Sequence, residues 1–141
     1  YMQLKLYARY DINYAREVIV EENEKVITEL NNLRVFFSKA ATKLTLSETI
    51  SKAQWLINKI EREIHPGGDS ANLALNRYKA LLANLIILQN RCLEVFEGAP
   101  DAERWLKSEV KALGGETPFG VIMSSDDGFE IVMEELCRIV N

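Results

Sequence analysis

The chain has 141 residues, a formal net charge of −4, 48% hydrophobic residues and 27% charged ones. That length suits one domain, or one compact domain with a helical extension, and the mix of apolar and charged residues excludes disorder. No run of about 18 consecutive apolar residues occurs, which excludes a membrane span, and residues 1–6 lack the shape of a signal peptide.

Only three prolines and seven glycines interrupt long aliphatic tracts, a combination that favours helices. The first predicted helix begins near Asn13. Ile19, Asn23, Val26, Leu30, Leu33, Phe37, Ala40 and Leu44 follow one another at alternating spacings of four and three. This is a heptad seam with one polar position, which serves either the core of a bundle or a homodimer arm whose register Asn23 sets. "TLSE" then breaks the helix. Thr45 caps the next one, with Glu48 reaching back as a capping box, and Ile50, Ala53, Ile57, Ile60 and Ile64 form its apolar face. "HPGGDS" ends it, because proline cannot continue a helix and glycine releases the backbone. His65, at that end, reads as a partner for the helix dipole. Residues 1–68 thus form a long helical hairpin.

Asp69 or Ser70 caps a third helix that runs to about Glu97, with a broad stripe from Leu75 and Tyr78 to Cys92 and Phe96. Gly98 stops it. Pro100 suits a first helical turn, and residues 101–110 form a short helix with Trp105 and Leu106 inward. Thr117 caps another short helix that Pro118 begins and Met123 ends. "SSDDG" opens the last helix, in which Phe129, Val132, Met133, Leu136, Cys137 and Val140 face inward. The fold class expected is all-α, with a compact multi-helix unit at 69–141 after the hairpin.

The charge is unevenly placed. Residues 1–70 hold ten basic and ten acidic side chains, whereas residues 71–141 hold seven and eleven. Nucleic-acid binders show the opposite balance, and an acidic end suits a basic protein partner. Two long helices without net positive charge are not a helix-turn-helix, so DNA binding by the chain alone is not expected. There is one histidine, no metal constellation and no nucleophile with a base in sequence context, so neither an enzyme nor a cofactor is expected. "GGETPFG" lacks the Gly-Lys-Ser/Thr of a phosphate loop and follows no strand. It reads as a hinge between two short helices. Cys92 and Cys137, far apart on amphipathic patterns, read as buried reduced thiols in a cytoplasmic protein.

The order of the C-terminal pieces carries a resemblance. Val95-Phe96 is followed by Ala102-Glu103-Arg104-Trp105-Leu106, then Leu113-Gly114-Gly115-Glu116-Thr117-Pro118, Gly128 and a closing helix from Val132 to Ile139. From about residue 72 onward this resembles the C-terminal toxin-binding domain of the Xre/MbcA/ParS-type antitoxins. Arg104, Trp105, Leu106, Leu113, Gly114, Gly115, Thr117 and Pro118 carry the motif.

The resemblance implies a non-enzymatic inhibitor that covers the active site of a protein toxin, typically a RES-domain enzyme that consumes NAD. Family members often carry a helix-turn-helix and a tail past the last helix, and neither is legible here. The acidic residues Glu116, Asp126, Asp127, Glu130 and Glu134 are candidates for the partner's basic rim, with Phe119 and Phe129 as apolar anchors. A helical assembly protein or a transcriptional regulator could use the same C-terminal fold.

Overall fold

The computed structural model describes residues 12–64 and 69–140, with side-chain surroundings for 24–64 and 70–139. His65 and Pro66-Gly67-Gly68 lie outside the described residues, as do the side chains of Ile19, Asn23 and Val140. Within the described residues the chain is all-α. It comprises α1 (Ile12–Lys43), α2 (Leu46–Glu63), α3 (Asp69–Val95), α4 (Ala99–Leu106), a 3₁₀ turn (Lys111–Leu113), α5 (Pro118–Ser124) and α6 (Gly128–Val140).

The break between α1 and α2 is built as the sequence suggests. Thr45 Oγ1 accepts from the Glu48 amide at 3.1 Å, and Glu48 Oε1 accepts from the Thr45 amide at 3.2 Å. The next free amide, that of Leu46, donates to Glu103 Oε1 of α4 at 2.8 Å. Three of the four amides left open at a helix start can be satisfied this way, two by the local box and one from far along the chain.

The ion pairs Lys25–Glu63 (3.2 Å) and Lys59–Glu29 (3.6 Å) show that α2 runs back along α1. The pair at Lys25 sets the end of α2 beside it. At 32 residues, α1 therefore outreaches the 18-residue α2 by roughly 20 Å at 1.5 Å per residue. Glu29 and Glu63 meet between the helices. Burial first, and then its hydrogen bond to Glu63, raises the Glu29 carboxyl above its ordinary range. Set against that carboxyl, and flanked by Lys25 and Lys59, Glu63 is held below its own.

One cluster of buried side chains runs from Val26 to Leu136 and crosses residue 68 without interruption. Leu33, Phe37 and Ala40 of the heptad seam are consumed in it. Phe37 stacks on Tyr78 of α3, with ring centroids 5.6 Å apart and planes 9° from parallel. α1 also packs on α5, and α3 packs on α6, so the amino-terminal helices back the carboxy-terminal ones. The seam between Val26 and Ala40 is thereby used within the chain.

Two helix ends fall earlier than the sequence suggests. α3 ends at Val95, and α4 ends at Leu106, four residues short of Val110. Ser108 explains the second: its hydroxyl and its amide both donate to the Trp105 carbonyl, at 2.7 and 3.1 Å, closing the helix.

Candidate protein-binding surface

The glycine stretch that joins α4 to α5 is a closed loop. The Val110 amide donates to the Glu116 carbonyl and the Gly115 amide to the Val110 carbonyl, both at 3.0 Å, which ties residues 110 and 116 together. Between them Gly114 and Gly115 have φ of +73° and +83°. A side chain in that left-handed region is strained, which is why the pair is glycine. Thr117 Oγ1 then accepts from the Gly120 amide at 3.0 Å, and Pro118 occupies the first turn of α5. The stretch is a hinge, as read from the sequence.

A second glycine constraint sets α6 against α5. A Cβ at Gly128 would lie 2.2 Å from the Val121 carbonyl oxygen. Only glycine admits this approach, and it brings the loop at Ser125 to Asp127 to the edge of α3. Ser125 Oγ donates to Asp127 Oδ1, and the Asp127 carbonyl accepts from Ile131 at the start of α6.

The result is a hollow of about 580 Å³ between α3 and the α5–α6 turn. Arg77, Tyr78 and Asn84 form one wall, and Met123, Asp126 and Phe129 the other. Ser124 also lines a second hollow of about 360 Å³, which Glu109, Glu116 and Thr117 border. The two meet at that serine.

These hollows bring together only some of the expected partner residues. Asp126 and Phe129 share the larger one and Glu116 borders the smaller. Asp127, Glu130 and Glu134 are exposed beside them, the two glutamates one helical turn apart on the outer side of α6. None of Asp126, Asp127, Glu130 and Glu134 joins an ion pair among the described residues, whereas Glu135 pairs with Arg138 at 3.6 Å.

Phe119 requires a correction. It is 1% exposed and ranks among the largest fully buried side chains, so it is core and offers nothing to a partner. α5 sits between α1, α4 and α6, and its first aromatic has nowhere to point but inward. Phe129, packed against the core but only partly buried, is the aromatic left at the surface.

Cys137 is a second correction. Cys92 is buried, and burial with the Glu103 carboxylate nearby pushes its thiol up to about 11, but Cys137 is exposed. The core face of α6 centres on Val132 and Leu136, and the residue after Leu136 is turned about 100° away.

The motif residues are largely architectural. Leu106 and Pro118 are buried, and Trp105 is half-buried against Phe96 at 5.6 Å. Leu113 packs on the core, and Arg104 is exposed and pairs with Asp101 at 3.3 Å. The sequence reading missed Arg77 and Tyr78, which hold an ordinary helical stripe, and Glu103, whose partner is 57 residues away. Among the described residues no group of three His, Cys, Asp or Glu side chains could hold a metal ion. No helix there is long and apolar enough to cross a membrane.

No curated protein and no solved structure matches the chain. A family model matches residues 93–140, from late in α3 through α6, rather than from residue 72. That segment, which supplies the glycine stretch, the α5–α6 turn and the acidic face of α6, is similar to the C-terminal toxin-binding domain of the Xre/MbcA/ParS antitoxins.

Proposed function

We propose that the chain neutralises a RES-type, NAD-consuming toxin in the cytoplasm, without chemistry of its own, by laying the α5–α6 surface over the toxin's active site. The observation that carries this reading is the position of the family match, which falls on the segment that supplies the Asp126 and Phe129 wall of the hollow. A site that accepts a pyrophosphate is rimmed by basic groups, and the unpaired carboxylates of Asp126, Asp127, Glu130 and Glu134 complement such a rim. Charges of this kind govern the rate of encounter and its salt dependence, while a central apolar anchor governs residence time. Phe129 is that anchor. In the same reading, the part of α1 that outreaches α2 joins two copies into a homodimer, and the hairpin at 1–68 braces the toxin-binding unit at 69–141.

Co-expression with a RES-type enzyme tests the proposal. Phe129→Ala should release the enzyme's NAD consumption and speed dissociation. Asp126→Lys with Glu130→Lys should slow association, most of all at low salt. Full inhibition by both variants, or no binding of a RES-type enzyme by the parent chain, would reject it.

A further inference from the structure

The outer face of α2 is chemically unlike the rest of the molecule. Lys52, Trp55, Lys59 and Arg62 follow at spacings of three, four and three, which sets them on one side of the helix. Trp55 is 62% exposed, the most exposed of the large apolar side chains among the described residues. Lys59 Nζ stands 5.6 Å from its ring centroid. Lys52 and Arg62 are exposed and join no ion pair among the described residues. Glu61, beside this face, is engaged by Lys79. An indole on a helix face shared with three cations, of which Lys59 is also paired with Glu29, therefore stands on the surface of a chain whose net charge is negative.

The complement of that knob is on the same chain. The hollow between α3 and the α5–α6 turn has Met123 and Phe129 in its wall and Asp126 at its edge, with Glu130 and Glu134 beyond. Its volume, about 580 Å³, exceeds what one indole fills and leaves room for the lysine and arginine stems alongside. Arg77, the one cation in the wall, can stack its guanidinium on an indole face. We infer that a second copy of this chain docks here, with its Trp55 in the hollow and its Lys52 and Arg62 against Asp126, Glu130 and Glu134. The occupant is assigned by this double match, the indole to the Met123 and Phe129 side of the hollow and the cations to carboxylates. Each copy carries one knob and one hollow, so contacts add head to tail and mass rises with concentration. The contact stands independently of any toxin. Its corollary, that self-docking and toxin docking exclude each other, rests on the functional reading above.

Sedimentation velocity on the full chain alone, over a range of concentrations at low and high salt, is the test. Low salt should show association that high salt weakens. Lys52→Glu with Arg62→Glu should lower the association constant by about tenfold or more, and so should Glu130→Lys with Glu134→Lys. All four positions are exposed, so these variants should keep the parent's circular dichroism and melting temperature. Mixing the two double variants should restore association, because reversed knob then meets reversed hollow. Trp55 emission should shift to the blue on association, and Trp55→Ala should abolish both. A chain that stays monomeric throughout overturns the inference. So does association untouched by either reversal, which assigns it to α1. Retention of duplex DNA through Lys52 and Arg62 without self-association also overturns it, in favour of a nucleic-acid surface.

Discussion

Glu103 and Leu46 are 57 residues apart, yet the carboxylate of one caps the helix that begins at the other, at 2.8 Å. Glu103 lies in the short helix α4, within the segment similar to the antitoxin domain, and Leu46 opens the helix that returns along α1. A carboxylate at a helix start satisfies an open amide and complements the positive end of the dipole. Glu103→Ala should therefore cost about 1–2 kcal/mol, the usual loss for a cap, read as a lower urea midpoint with unchanged slope. Glu103→Gln, which keeps the acceptor, should lose less. Equal losses in both variants would show that the contact to Leu46 contributes nothing.

Gly128 should be intolerant of even one methyl group. Its absent Cβ would sit 2.2 Å from a backbone oxygen of α5, and backbone cannot rotate aside as a side chain can. Gly128→Ala should destabilise by about 2–3 kcal/mol, at the upper end for overpacking, and should widen the hollow beside Phe129. Thermal unfolding measures the first effect, and the loss of partner binding in the folded fraction measures the second.

The carboxyl pair Glu29 and Glu63 gives the hairpin a pH dependence of definite sign. Glu29 is raised above the ordinary value of 4.5, so its contribution to folding is present where it is protonated and is lost as pH rises through its folded value. Glu63 is lowered, and its contribution, supported by Lys25 and Lys59, is lost as pH falls through its own depressed value. Glu29→Gln keeps a polar group beside Glu63 without the charge. It should therefore gain stability relative to the parent as pH climbs above 4.5, read from urea midpoints at several pH values. A constant difference at all pH values would show that the two carboxyls do not interact.

The two thiols should react on different timescales. Cys137 is exposed and should be modified at once by a thiol reagent at mild pH. Cys92 is 1% exposed with its thiol pushed up to about 11, so it has neither access nor thiolate. One thiol should titrate rapidly in the native chain and the second only after unfolding. Cys137→Ser should remove the fast one.

What was legible in the sequence was local. Thr45 with Glu48, Thr117 with Pro118, and the two glycines at 114 and 115 each announce a helix boundary within a few residues, and each is built as read. What was not legible required knowledge of which face meets which neighbour. Phe119 and Phe129 are both aromatics near a glycine at a helix start, and a seven-residue helix is too short for periodicity to choose its inward side. Cys137 continues an apolar run too broad to be buried entirely. Glu103 lies among ordinary charges, and its role depends on an amide that folding alone brings to it.

The packing of α1 behind α5 has a consequence for how long any complex persists. A protease that engages the amino-terminal end and draws α1 out of the bundle removes the wall behind Phe119 in the same motion. The α5–α6 surface then loses its support, and whatever it holds is let go. A remnant that begins after the hairpin should fold less stably, because the core does not divide at the hairpin. Loss of α1 is therefore expected to loosen the whole core rather than to leave the last helices intact.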